Sequence, residues 1–264
     1  LKEGYWEIKM KNSKLETLAK SVRKRIFKFK TKSGYGHLAS CLSCVDIVSS
    51  LYYDDETAFD HLEDVLIFSK GHGSPCIYPI LADLGYYDES ELEKYCTPEG
   101  ILKLHSDSSI GGCHFVGGSL GNGVGYAAGL AHGSKKNVYV VLGDAELYEG
   151  SVWETLMFVA HHNINLTMIV DRNAMGILGK TEELLQLEPL HQKFESFGFE
   201  TYTIDGHSFE QLKQVFSETS NRPRIIIANT IKGKGVSYME DVWQYHTIIP
   251  KSEDDIEQGL EELS

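Results

Sequence analysis

Apolar positions repeat with a helical period over residues 13–30, where Leu15, Leu18, Val22, Ile26 and Phe29 share one face and Lys and Arg take the other. This spacing predicts an amphipathic helix with a solvated basic face. A polar, Gly-containing loop over 33–37 follows. Cys41, Val45, Val48 and Tyr52 then recur at i, i+4, i+7 and i+11, with Cys44 and Leu51 beside Val48, so a second helix carries the cysteines. Short unbroken apolar runs at 64–69, 137–142, 165–170, 200–204 and 224–228 predict strands. Helices are predicted over 75–84, 118–133, 151–162, 186–198 and 208–220. Strands of this kind alternating with helices imply a mostly parallel sheet covered on both faces, a three-layer αβα sandwich. Residues 97–117 are polar and Gly-rich without period, a long loop of the sort that usually carries function. The helix over 118–133 is unusually rich in small residues, which suits close packing by another subunit. The whole chain reads as one domain over 1–264, with an N-terminal extension over 1–12 and an acidic tail over 251–264 as a surface helix or linker.

Composition narrows the function. The chain has 264 residues, 25 basic and 38 acidic, for a net charge of −13, and 42% hydrophobic residues. It is therefore a folded protein with enough chain for a substantial core. The acidic balance argues against nucleic acid as a partner. No apolar stretch approaches the roughly 18 residues needed to span a bilayer, and the first residues lack a signal-peptide core. A cytoplasmic protein without membrane contact is expected. Cys41-Leu-Ser-Cys44 has the spacing of half a zinc site, but no second pair follows it, and five cysteines make no disulfide framework. They read as small buried apolar residues.

In an open parallel sheet, ligands bind beyond the carboxyl ends of the strands. Those ends collect Lys70 and His72, then Asp144 and Glu146, then Asp171 and Asn173, and finally Thr230, Lys232 and Gly235. A carboxylate and a carboxamide at neighbouring strand ends are hard oxygen ligands suited to Mg²⁺ or Ca²⁺. Glycines beside them admit phosphate oxygens to the backbone, and a helix opening near Ser151 is a further source of positive dipole. Taken one at a time, Gly, Asp and Asn serve equally well as turn residues.

The full set of motifs is more specific. Gly143-Asp144-Ala145-Glu146-Leu147-Tyr148-Glu149-Gly150-Ser151-Val152-Trp153-Glu154, followed after 28 residues by Asn173 in Ile169-Val170-Asp171-Arg172-Asn173, closely resembles the thiamine-diphosphate signature of transketolases. The segments 33–38, 69–72, 118–121, 205–207 and 230–235 resemble the same family in the same order, so the likeness runs from about residue 13 to residue 250. It covers the N-terminal half of a full transketolase. The resemblance implies the thiamine-diphosphate-binding fold in its diphosphate-binding form, and Mg²⁺ (or Ca²⁺ or Mn²⁺) held by the side chains of Asp144 and Asn173 and the carbonyl of Met175. It implies that Gly143, Asp144 and the Ala145 amide meet the diphosphate, with His72, Lys232 and His246 around it and the reacting carbon. Gly118 and Leu120 would hold the aminopyrimidine through their backbone. Glu149 and Glu154 match acids that couple two active sites. His37 and His105 match imidazoles of the substrate channel, where neutral-range titration suits reversible proton transfer. His61, His132, His161 and His162 read as ordinary surface or core residues, and His207 as structural.

Three departures stand out. Ala145 replaces a common Gly, Leu104-His105-Ser106 replaces Gly-His-Pro, and Tyr245-His246-Thr247-Ile248 replaces Trp-His-Gly-Lys. The last two border the substrate, so the resemblance implies cofactor binding more directly than pentose-phosphate substrates. The pyrimidine-binding half of the family is not matched. The reading that follows is one subunit of a split transketolase, working as an α2β2 assembly with a C-terminal, pyrimidine-binding chain on small sugar substrates. A shortened chain and a non-catalytic cofactor-binding homologue are the other readings. The α chain of a 2-oxo-acid dehydrogenase shares the architecture, but Lys70-Gly71-His72 and the 149–154 string resemble transketolase instead.

Overall fold

The computed structural model describes the backbone of residues 2–134 and 136–264, and side chains from residue 12 onward apart from 135. Of the expected N-terminal extension over 1–12, Leu1 and the side chains of 2–11 lie outside the described residues. The backbone from residue 2 belongs to α1 (Lys2–Ser33), whose described apolar face, Leu15, Val22, Ile26 and Phe29, is buried. The cysteine-bearing segment breaks at Cys44 into α2 (Leu38–Ser43) and α3 (Val45–Tyr53). All five cysteines are free, and Cys41, Cys44 and Cys76 are fully buried.

The sheet has five strands, β1 (Val65–Phe68), β2 (Val138–Gly143), β3 (Leu166–Arg172), β4 (Glu200–Asp205) and β5 (Arg224–Asn229), all parallel in the order β1-β2-β3-β5-β4. Between the strands lie α4 (Tyr78–Asp83), α5 (Asn122–Gly133), α6 (Gly150–His161), the single turn α7 (Thr181–Leu184), α8 (Leu190–Ser196) and, between β4 and β5, α9 (Phe209–Ser217). α10 (Glu253–Glu262) follows the sheet. The chain steps from β1 to β2, β3 and β4 in one direction and returns to β5 in the other. Right-handed crossovers therefore put α5, α6 and α8 on one face and α9 on the opposite face. The side chains obey this. Val138, Val140 and Leu142 of β2 pack with Val124, Val152, Leu156 and Phe194, whereas Tyr139 and Val141 join the core of α1, α3 and α9.

Several boundaries differ from expectation for local reasons. The helix expected over 75–84 is a 3-10 turn (Gly71–Ile77) containing Pro75, followed by α4. The helix expected from 118 starts at Asn122, because Gly121 adopts φ +81° and turns its N–H onto Glu146 Oε1 at 2.7 Å. The helix expected over 186–198 starts only after Pro189, and α7 was not anticipated. The acidic tail is a docked helix, not a linker: a Cβ on Gly259 would stand 2.4 Å from the Phe27 ring of α1. No described helix is long and apolar enough to cross a membrane.

Candidate active site

Strand register brings the carboxyl ends to one level, with Gly143 beside Asp171 and Asp171 beside Ala228. Over them opens a cavity of about 440 Å³. It is lined by His37, Lys70, His72 and His105, by Gly118 and Leu120, by Gly143, Asp144 and Ala145, and by Asn173, Met175, Lys232 and His246. Glycine is required at its rim. A Cβ on Gly71 would lie 1.7 Å from the Gly117 carbonyl oxygen, so the turn bearing His72 and the loop bearing Gly118 touch backbone to backbone.

Four imidazoles face one another there. Ring centroids lie 5.4 Å apart for His37 and His72, 6.2 Å for His37 and His105, 5.2 Å for His37 and His246, and 5.2 Å for His72 and His246. Burial first, and then the charges of Lys30, Lys70 and Lys232 and the neighbouring rings, disfavour protonation. His37 is lowered to about 4 and His246 to about 3; His72 falls well below its usual value, and His105 also falls. The rings are therefore neutral around pH 7 and titrate below the neutral range expected of them, because burial and the nearby ammonium groups disfavour the imidazolium. Nδ1 of His37 and Nδ1 of His246 are buried without a partner, and such atoms need one from a bound molecule or water. Lys232, nearly fully buried, is lowered to about 8 by burial and by Lys70, and its ammonium lies 3.4 Å from the Met175 carbonyl oxygen.

The oxygen ligands are held in part by Arg172 and Ala174, which sequence reading did not single out. Asp144 Oδ1 accepts the Ala145 N–H at 2.8 Å, and Oδ2 accepts Arg172 Nη1 at 2.9 Å and the Ala174 N–H at 2.6 Å. Asn173 Oδ1 accepts the Met175 N–H at 3.2 Å, and its Nδ2 is turned to Asp171 Oδ2 at 3.3 Å. Asp144 Oδ1, Asn173 Oδ1 and the Met175 carbonyl each keep a lone pair in reserve. Burial raises Asp144 against the opposing charge of Arg172, and a divalent cation would favour its charged form. One carboxylate, one amide oxygen and one carbonyl fit Mg²⁺, which completes its octahedron with phosphate oxygens and water. No group of three His, Cys, Asp or Glu poised for a metal occurs among the described residues.

Asp171 is fully buried and serves another purpose. It pairs with the buried Lys70 and accepts from Thr230 and, at 2.6 Å, from Ser43. Glu146 is likewise a hub: its carboxylate accepts from Ser69, from Gly121 N at 2.7 Å and from Gly143 N at 3.1 Å, fixing the loops on either side of the cavity. Both residues stand at strand ends, which was the available signal, but their partners come from distant segments. Tyr148, Ile177, Leu178 and Leu184 add an apolar rim that was also missed. The clustering of Ile and Leu over 177–185 was its trace in the sequence.

A family model described as transketolase, thiamine diphosphate binding domain, matches residues 16–263. The chain belongs to the transketolase family. One relative, from Actinobacillus succinogenes, is named as one of the subunits of an apulose-4-phosphate transketolase. It is 35% identical over 264 aligned positions, covering 94% of this chain and 95% of that one. A Clostridium relative, named as belonging to a 6-deoxy-6-sulfo-D-fructose transketolase, is 32% identical, covering 89% and 90%. The transketolase of Campylobacter jejuni has a crystal structure with a TM-score of 0.84 and 29% identity. It is matched over 94% of this chain, which spans 42% of the larger protein.

Within this transketolase domain, most residues marked by the resemblance line the cavity, but two do not. Glu149 and Glu154 are exposed, Glu149 just before α6 and Glu154 within it. The start of α6, expected to lend its dipole, is also absent from the lining. His61 contacts Tyr86, and His132, His161 and His162 cluster on the α5–α6 surface, all away from the cavity.

Proposed function

We propose that the chain is the diphosphate-binding subunit of a two-component transketolase, moving a two-carbon ketol unit reversibly from a ketose, or ketose phosphate, to an aldose. The observation that carries this reading is the cavity in which the Asp144, Asn173 and Met175 oxygens face Lys232 and four neutral imidazoles. The end-to-end match to relatives named as transketolase subunits supports the split arrangement.

Asp144, Asn173 and the Met175 carbonyl would hold Mg²⁺, and Lys232 with the Ala145 amide would meet the diphosphate. When bound, thiamine diphosphate supplies the electron sink that cleavage beside a ketose carbonyl requires. The protein does the rest. Neutral His37, His72, His105 and His246 accept a proton from a substrate hydroxyl or return one. Ile177, Leu178 and Leu184 give one wall of the cavity an apolar lining. The segments bearing His105 and His246 depart from the usual family strings, so they are the places where a particular sugar would be selected.

The chain needs a pyrimidine-binding partner, in an α2β2 assembly. The surface that fits such a partner is α5, where Gly125, Gly129 and Gly133 form an open stripe next to exposed Tyr126, Met157 and Phe158. A Cβ on Gly129 or Gly133 would meet nothing within 4 Å. Exposed Glu149 and Glu154 would then reach their coupling role only across the interface. Calorimetry with Mg²⁺ and thiamine diphosphate tests the cavity. Asp144→Ala should abolish metal-dependent binding, and an affinity equal to wild type would refute the metal assignment.

A further inference from the structure

His207 lies on the turn after β4, outside the cavity lining, yet it is connected to the cavity wall. Its Nε2 accepts the Ile231 N–H at 2.8 Å, which in the neutral ring puts the proton on Nδ1. Nδ1 is 2.6 Å from Asp46 Oδ2, the acceptor this tautomer requires. Asp46 is gripped by both terminal nitrogens of Arg23, at 2.8 and 2.6 Å. Asp46 and Arg23 are both buried, on α3 and α1. Burial works to raise Asp46, but the Arg23 charge and the hydrogen bonds from His207 and Arg23 hold it at about 2. It is therefore a fixed anion at any working pH.

Ile231 immediately precedes Lys232. The neighbouring residues are also tied: the Thr230 hydroxyl to Asp171, and the Gly233 N–H to the Ala39 carbonyl at 3.1 Å. Between those ties, the Ile231 amide has His207 as its acceptor. We propose that His207 is a positioning residue, which in its Nδ1–H tautomer links the Asp46–Arg23 pair to the Ile231 amide and so places Lys232 for an anionic ligand. This rests on the reading that the cavity takes a diphosphate. Around metal ligands, losing an outer partner that orients the ligand typically costs about tenfold or more in affinity or activity, and the same logic applies to a cation held for a diphosphate.

The test is calorimetry of Mg²⁺–pyrophosphate on the full chain carrying Lys232→Met, His207→Phe, both changes, or His207→Gln. Lys232→Met and His207→Phe should each weaken binding roughly tenfold, and the double variant should be no weaker than Lys232→Met alone. His207→Gln, whose amide has both an acceptor and a donor, should recover most of the loss. An unchanged affinity in Lys232→Met would end the diphosphate reading, and this proposal with it. Loss in Lys232→Met without loss in His207→Phe would overturn the positioning role alone, as would additive losses in the double variant. Should His207→Phe not fold, the wild-type chain decides by ¹⁵N spectroscopy of the imidazole. An Nδ1–H ring with a bare Nε2 and slow exchange of the Ile231 amide support the proposal, and an Nε2–H ring overturns it.

Discussion

Lys70 and Asp171 are both within 1% of full burial, and each is the other's counter-charge at the floor of the cavity. Burial works against charge on both. Their mutual attraction and the bonds from Ser43 and Thr230 prevail, keeping Asp171 lowered and Lys70 raised. Removing one partner strands the other, so Asp171→Ala should cost about 3 kcal/mol or more of unfolding free energy in urea titration. The imidazoles make a separate statement about pH. His37 and His246 are lowered in the folded state to about 4 and about 3, so below their ordinary value of 6.5 the unfolded chain binds more protons. Stability from these residues is complete above pH 6.5 and falls as pH drops towards 3. Thermal melts of His37→Asn should lose part of that slope between pH 6.5 and 4. An identical slope would show that His37 is not held neutral. Ala174 adds a local strain: it adopts φ +59° while its N–H binds Asp144. Ala174→Val should therefore destabilise the chain by more than about 1 kcal/mol.

At the scale of elements, the cavity depends on backbone contacts that admit no side chain. Gly71→Ala would press a methyl group into the Gly117 carbonyl, displacing the turn that carries His72. Its expected result is a loss of both stability and pyrophosphate affinity, whereas Gly85→Ala, which meets no neighbour, changes stability through backbone strain alone. The five strands were legible because their apolar runs are short and bounded, and parallel pairing follows from the helices between them. Of the residues expected at the strand ends, Lys70, His72, Asp144, Glu146, Asn173 and Lys232 line one cavity, whereas Asp171 and Thr230 lie behind the lining and Gly235 packs against Leu263 and Arg23. Helix starts were less legible. The first turn of α5 is set by the Glu146 carboxylate pulling on Gly121, a contact across 25 positions that no local pattern encodes. The same holds for Arg172, whose partner Asp144 lies 28 residues away, just past the end of the neighbouring strand β2. Of the departures from the family strings, Leu104-His105-Ser106 and Tyr245-His246-Thr247-Ile248 still deliver their imidazoles to the cavity.

For the whole molecule, one end of the sheet holds a cavity lined by Asp144, Asn173, Met175, Lys232 and four imidazoles, and the outer face of α5 is bare. The small-residue stripe of α5 lets another backbone approach closely, and Tyr126, Met157 and Phe158 beside it offer apolar area to bury. Gly129→Leu should leave the stability of the isolated chain nearly unchanged, because its Cβ has open space, while sedimentation should show loss of assembly with a pyrimidine-binding partner. Full assembly of this variant would move the interface elsewhere. On the proposed function, this chain catalyses ketol transfer only as one half of an enzyme. The most direct measurement is to isolate the chain from its native cell with whatever partner remains bound, and then to follow two-carbon transfer from ketose donors to aldose acceptors by mass spectrometry. The expected result is transfer that requires Mg²⁺, thiamine diphosphate and a partner resembling the pyrimidine-binding half of transketolase. A native complex that, fully supplied with both, moves no two-carbon unit, or instead consumes a 2-oxo acid, would contradict it.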